Sequence, residues 1–388
     1  MSTQIVSSDT SSSDASLDPE RQEKARQYAR IGRRMMVVDL VLGVAYMLAW
    51  LFFGWSLSLK DSLESYSHNP WLLVALYALI FGGIYLLLNL PLSYYEEFVL
   101  PHRFGLSNQT LSGWILDQLK MGLIAGVLGL LILEIIYAVL RAFPQTWWLW
   151  AGGILLVFNV ILANLAPVLL FPIFYKFEPL EDDYADLEAR LIRLAEQAGA
   201  HVRGVYKFDM SRRTKAANAG LTGLGNTQRI ILGDTLLDEF TPDEIETVLA
   251  HELGHHVHKD IPIGIAVESL VTLVGLYLAS LALNWGALAL GFSGPADIAA
   301  LPWLALVIGA YGLITMPLVN GYSRWRERRA DEYALQATGN GQAYASALTR
   351  LANQNLAEAE PEGWVEFLLY SHPALGRRIR MAQGGASS

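Results

Sequence analysis

The sequence predicts a mainly α protein, a polytopic transmembrane helical bundle joined to a polar segment with a small β-sheet. Three observations predict it. Of 388 residues, 53% are hydrophobic and only 17% charged, less charge than a soluble chain of this length carries. Six apolar stretches, 35–59, 71–92, 121–140, 147–171, 261–283 and 302–319, each approach the ~20 residues that cross a bilayer as a helix. Between the fourth and fifth lies a polar segment, 176–259, that closes on His251-Glu252-Leu253-Gly254-His255.

Composition also excludes. The formal net charge of −9 gives no reason to expect a nucleic-acid partner. With no cysteine there is no disulfide, no thiol nucleophile and no thiolate-held metal. A metal must be held by His, Asp or Glu.

Residues 1–20 are rich in Ser, Asp and Thr and lack an apolar run, so they read as a disordered tail and not a signal peptide. The tail is drawn to residue 30. An N-terminal membrane domain of four spans follows at 31–175, then the polar segment at 176–260, a two-span hairpin at 261–320 and a C-terminal polar part at 321–388. Trp147, Trp148, Trp150 and Trp303 open two of the runs, at the headgroup level that tryptophan favours. Arg21, Lys24, Arg26, Arg30, Arg33 and Arg34 precede span one, 284–301 has no Lys or Arg, and the chain is basic again from Arg324. The positive-inside rule then puts both termini and the polar segment in the cytoplasm. Glu134, Asn159, Asn164, Glu268 and Asn320 sit within or at the end of spans, where polar groups face a bundle interior, a wet cavity or another helix.

In the polar segment, 181–199 is amphipathic, with Leu187, Leu191 and Leu194 on one stripe. Residues 202–208 alternate like a strand. Residues 216–222 and 228–232 flank Gly223-Leu224-Gly225-Asn226, which reads as a hairpin turn. No Lys-Ser/Thr follows these glycines, so a nucleotide loop is not expected.

The next helix is signalled by Thr241 as N-cap, Pro242 at the first position and Glu244 completing a capping box. On it, His251 and His255 stand one turn apart on one face and can aim two imidazoles at one zinc ion. Glu252 can then take a proton from water polarised by the metal. The bland alternative is a helix with two satisfied histidines and a surface glutamate.

Two histidines leave a catalytic zinc one protein ligand short. Spans five and six form a hairpin, so the residues after span six return to the side of His251. There Glu327 and Asp331 share a helical face, Glu327 suited to ligate and Asp331 to orient a ligand imidazole. The competing reading is a solvated helix pairing its own arginines. His258 returns to the ligand face and is an alternative third ligand, whereas His256 points a quarter turn away. Near the C-terminus, in the run 371–378, His372 or an arginine could stabilise an oxyanion, although His372 is otherwise only a loop histidine before a proline.

From about Arg34 onward the chain resembles the type 1 CAAX prenyl proteases, integral-membrane zinc endopeptidases. HELGH at 251–255 resembles their zinc motif, and Ser323–Asp331 their SR-x-x-E-x-x-AD block. Residues 371–378 resemble their S-H-P block, Ala217-Asn218-Ala219 their Asn-Ala strand, and 94–120 their F-G-x-x-x-Q-T-L run. The resemblance implies six to seven spans enclosing a chamber and a zincin-like cytoplasmic protease domain. It implies one Zn2+ per chain held by His251, His255 and Glu327, with Glu252 as general base. It further implies His372 and Arg378 near the substrate oxyanion, and Asn218 and Ala219 pairing with the substrate backbone. The implied partners are the lipid bilayer and a peptide or protein substrate, with or without a prenyl group. The short loops suggest a bacterial cell membrane. One departure is Thr-Lys-Ala-Ala before Asn218, where the family often has Ser-His-Ser. Quality-control proteolysis of membrane proteins is the alternative role, and a transporter or sensor the non-enzymatic one.

Overall fold

In the computed structural model, which describes residues 16–223 and 228–384, each apolar run is helical. The chain begins with α1 (Pro19–Phe52), α2 (Trp55–Glu64) and α3 (Pro70–Ser93), the last continuing through a π-turn into α4 (Leu100–Arg103). Then come α5 (Leu111–Ala142) and α6 (Trp147–Leu165), which runs on through a second π-turn into α7 (Phe171–Phe174). The polar segment holds β1 (Phe177–Pro179), α8 (Ala185–Gln197), β2 (Val205–Phe208), β3 (Ala219–Thr222), β4 (Arg229–Gly233), α9 (Asp234–Glu239) and α10 (Pro242–Val257). The membrane hairpin is α11 (Asp260–Ala289) and α12 (Leu301–Thr338), followed by α13 (Gly341–Gln354), α14 (Gly363–Leu369) and α15 (Leu375–Ala382).

Six helical stretches are long and apolar enough to span: α1, α3 with α4, α5, α6 with α7, α11 and α12. They neighbour one another in a closed ring, α1 against α3, α3 against α5, α5 against α6, α6 against α11, α11 against α12, and α12 back against α1. No span buries more than 22% of its apolar window, so most of the apolar surface of each span is free of protein contact. At the end remote from the HExxH helix it is plugged by Trp50, Tyr77, Phe81, Tyr137, Trp147 and Phe292, with a buried ion pair between Lys60 and Asp297 at 2.9 Å. The other end is roofed by the polar segment and its own core of Leu191, Ile230, Leu232, Leu236 and Leu249.

The hairpin is held by a repeated contact. Gly264, Gly275 and Gly286 lie eleven residues apart, three helical turns, and so share one face of α11. A Cβ there would come within 2.9 Å of Arg326, 2.6 Å of Tyr311 and 2.8 Å of Trp303, all on α12. Each of these side chains donates to the carbonyl four residues before its glycine: Arg326 Nη1 to Asp260 at 3.4 Å, Tyr311 Oη to Val271 at 2.7 Å, Trp303 Nε1 to Ala282 at 2.8 Å. Close backbone approach and interhelical hydrogen bonds are what hold helices together where lipid removes the hydrophobic drive.

Several boundaries differ from the sequence reading. Residues 1–15 of the expected tail lie outside the described residues, but 19–30 are helical, not disordered. Asp18 caps α1 by accepting from the amides of Glu20 and Arg21, and Gln22 and Ala25 are buried. Gln22 is hydrogen-bonded to Ala357 and Ala359. The run 35–59 is not one helix: it breaks at Phe53-Gly54, where Gly54 takes the left-handed conformation, and α2 starts afresh. Leu224–Asn226 of the expected turn lie outside the described residues, but the flanking β3 and β4 pair antiparallel. β1 was not foreseen. The sheet order is β1-β2-β4-β3, with β2 and β4 parallel, leaving β3 at an edge against α10. Asn164 bonds its own helix at Val160, and Asn320 donates to the Leu368 carbonyl at 2.7 Å, pinning the end of α14 to α12.

Candidate metal centre

The HExxH helix starts as its capping signals require. Thr241 accepts from the Glu244 amide, and the Glu244 carboxylate returns to the Thr241 amide at 2.8 Å. Ser346 and Arg350 of α13 also bind Glu244, which ties the start of α10 to the C-terminal helices. Apolar Ile245, Leu249 and Leu253 face the core, and His251 and His255 emerge on another face, ring centroids 4.9 Å apart.

That face meets α12. Gly254, inside the motif, abuts Ala330 closely enough that an added Cβ would lie 2.8 Å from the Ala330 Cα. The approach brings Glu327 between the imidazoles. Its Oε2 is 3.3 Å from His251 Nε2 and its Oε1 is 3.4 Å from His255 Nε2. These three side chains form a metal-competent group whose ligand atoms all lie within 4.8 Å of one another.

The donor set fits a divalent metal. Tetrahedral ligands at roughly 2.0–2.1 Å from zinc stand about 3.3–3.4 Å from each other. The nitrogen–oxygen separations, 3.3 and 3.4 Å, match that spacing. Glu327 Oε2 is buried without a hydrogen-bond partner, as expected of an atom waiting for a metal.

Both imidazoles are held from behind through Nδ1, which leaves each Nε2 for the metal. His251 Nδ1 is 2.9 Å from Asp331 and His255 Nδ1 is 2.8 Å from Asp260. Asp331 also takes a two-pronged pair from Arg378, Nε at 2.9 Å and Nη2 at 2.6 Å, and accepts from the Tyr344 hydroxyl. Asp260 and Tyr344 were missed by sequence reasoning. Tyr344 has no motif to mark it, but Asp260 had a signal, a charge five residues after His255 at the mouth of an apolar run.

The electrostatics follow from burial. Burial alone pulls His251 down, but the Asp331 and Glu327 carboxylates, accepting from its ring nitrogens, outweigh it and hold the metal-free imidazole at about 9. Burial pushes the Glu252 carboxyl up, partly offset by the neighbouring histidines. Its carboxylate makes no hydrogen bond among the described residues.

His372 Nε2 stands 3.3 Å from Glu327 Oε1 with its side chain 60% exposed, at the open side of the group. Arg378 lies deeper: two of its nitrogens are taken by Asp331, and Nη1 is 4.0 Å from Glu327. Asn218 falls just before β3, its carbonyl accepting from the Gly233 amide at 2.9 Å, and Ala219 opens the strand. His258 caps the end of α10 with its ring 6.3 Å from that of Tyr333 and is not in the ligand group, and His256 hydrogen-bonds Gln228. The run 94–120 docks on the loop before β3 through Arg213 and Asp117 at 2.7 Å.

Two imidazoles and a carboxylate, brought together on helices that enter a ring of membrane spans, define an integral-membrane metalloprotease. Family comparison agrees. The sequence pattern of peptidase family M48 matches residues 181–385, and that of the CAAX prenyl protease N-terminal region, described as five membrane helices, matches residues 7–176. The chain belongs to peptidase family M48, on its CAAX prenyl protease 1 branch. Within 7–176 the described residues hold four helices long enough to span, plus the ten-residue α2.

Among relatives, the metalloprotease YhfN of Bacillus subtilis is 29% identical, over 95% of this chain and 86% of its own length. The CAAX prenyl protease 1 of Saccharomyces cerevisiae is 29% identical, over 94% and 86%. The crystal structure of Saccharomyces mikatae Ste24p superposes with a TM-score of 0.84 at 26% identity, over 94% of this chain and 89% of that one. A peptide hydrolase leaves no room for the transporter or sensor reading.

Proposed function

We propose that this protein is a zinc endopeptidase that cuts peptides presented at the cytoplasmic face of a bacterial cell membrane, with lipidated C-terminal peptides of the CAAX kind as its preferred substrate class. The observation that carries the reading is the convergence of His251 Nε2 and His255 Nε2 on the Glu327 carboxylate at 3.3 and 3.4 Å, with Glu252 on the same helix and without a hydrogen-bond partner among the described residues. Relatives named as CAAX prenyl proteases support the substrate class.

His251, His255 and Glu327 would hold one zinc ion, which when bound would supply Lewis-acid polarisation of a water and of the scissile carbonyl. Glu252 is placed to take a proton from the attacking water and pass it to the leaving amine. His372, exposed at the open side, donates to the oxyanion. Arg378 acts there mainly through Asp331, with Nη1 left towards the site. A substrate in extended form adds to the free edge of β3, beside Asn218 and Ala219, where backbone pairing gives binding without demanding a sequence. The basic flanks of the spans favour both termini in the cytoplasm.

The test incubates the purified protein and its Glu252→Gln variant with matched prenylated and unprenylated CAAX peptides, locating cuts by mass spectrometry. Cleavage by the parent alone, faster on the prenylated peptide, is expected. Equal cleavage of unprenylated peptides from membrane proteins would move the assignment to quality-control proteolysis.

A further inference from the structure

Resting on the zinc reading above, we propose that Asp260 is a positioning residue for His255, and that Arg326 and Gly264 hold Asp260 in place. One of the two ligand imidazoles is thereby aimed by the first rung of the membrane hairpin.

Asp260 is only 3% exposed. Its Oδ2 lies 2.8 Å from His255 Nδ1, and its carboxylate has no other side-chain partner among the described residues. Lys259 holds the N-cap position of α11 and gives no side-chain cap, while Asp260, at the first helical position, spends its carboxylate on the imidazole. A carboxylate on Nδ1 fixes the ring plane, leaves Nε2 as the free ligand atom and raises its basicity.

The connection that permits this is strained. Lys259 has φ 55° and ψ 38°, and it is one of two non-glycine residues at positive φ among the described residues. That conformation costs a lysine on the order of 1 kcal/mol. With His258 it turns α10 into α11 within two residues and brings Asp260 back beneath His255, one helical turn earlier.

Arg326 then secures the turn. Its Nη1 donates to the Asp260 carbonyl at 3.4 Å, in the space that Gly264 leaves by lacking a Cβ, and the guanidinium lies 5.4 Å from the Tyr322 ring. Arg326 forms no ion pair among the described residues, so the guanidinium serves backbone and ring rather than a carboxylate. It directly precedes Glu327. A shift between α11 and α12 therefore moves Glu327 and the support of His255 together. His251 is supported separately, by Asp331, Tyr344 and Arg378.

The experiment measures chelator-driven zinc release, and the visible spectrum of the cobalt-substituted protein, for the full chain in detergent. Compared are the parent, Asp260→Ala, Asp260→Asn, Gly264→Val and the double variant Asp260→Ala with Gly264→Val. Asp260→Ala should release zinc about 10–100-fold faster and alter the cobalt spectrum. Asp260→Asn keeps the shape and an acceptor oxygen, so it should fall between; it carries the comparison if the alanine variant does not fold. Gly264→Val displaces Arg326 and should speed release by a smaller factor. The double variant should be no faster than Asp260→Ala alone, since both act through one residue. Parent-like release and spectra for both Asp260 variants would overturn the proposal. Additive effects in the double variant would remove Arg326 and Gly264 from it. A parent that takes up neither zinc nor cobalt would instead remove the metal reading itself.

Discussion

Gly254 and Ala330 meet backbone against backbone, with an added Cβ on Gly254 lying 2.8 Å from the Ala330 Cα and 3.1 Å from its carbonyl oxygen. The neighbour is main chain and cannot swing aside. This contact sets the distance between α10 and α12, and hence that between the two imidazoles and Glu327. Gly254→Ala should therefore lower stability by about 1–3 kcal/mol, the usual cost of overpacking. It should also weaken zinc retention, although it touches no ligand. Thermal unfolding and metal content of the purified variant check both; a variant with full zinc content and parent-like melting would contradict the spacing argument.

Glu252 is not in the ligand group and has no hydrogen-bond partner to lose among the described residues. Glu252→Gln should keep the zinc content of the parent while cutting peptidase activity about 10²–10⁴-fold, the range of a lost general base. Metal analysis and peptide turnover on one preparation test the split.

Glu327 is the one ligand contributed from across the membrane hairpin. Glu327→Ala should lose zinc at a chelator concentration that the parent resists. His258 cannot stand in, because it sits at the end of α10 against Tyr333. Undiminished affinity in this variant would point to a different third ligand.

The metal-free site binds a proton that zinc must displace. His251 is held at about 9 against an ordinary 6.5, so it is protonated at pH 7, while a ligand imidazole must be neutral. Zinc uptake at pH 7 should release this proton, and apparent affinity should rise with pH until about pH 9. For the metal-free protein the sign is the reverse. The raised value contributes stability that is fully present below about pH 6.5 and is lost as pH rises through about 9. Calorimetric titration with zinc in buffers of differing ionisation enthalpy counts the protons, and no buffer dependence at pH 7 would refute this.

The middle rung of the hairpin offers a mild and a severe change. Tyr311→Phe removes the bond to Val271 and should cost roughly 0.6 kcal/mol, the average for hydrogen bonds between membrane helices. Gly275→Leu drives a branched side chain into the Tyr311 ring and should cost several times more. Unfolding in mixed micelles ranks the two, and equal effects would show that the glycine does not set the helix spacing.

The sequence by itself determined what periodicity, capping and motif spacing can carry. Six apolar runs became six spans because covering a bilayer demands length and composition that no polar chain has. Thr241, Pro242 and Glu244 fixed the start of α10 because capping is local, and the i, i+4 histidines shared a face because a helix imposes it. Glu327 was legible because two successive spans must return the chain to the side it left. Only the tertiary structure decided the rest. Tyr344 carries no local mark and Asp260 only a faint one, since what makes them matter is the Nδ1 atom of a histidine on another element. The two-pronged hold of Arg378 on Asp331 joins α15 to α12, and no spacing rule reaches over the 47 positions between them. The early start of α1 escaped notice because the burial that stabilises it comes from residues near 357. Local propensity is written in neighbours along the chain, whereas a metal centre's supports are chosen by whatever the folded chain places behind it.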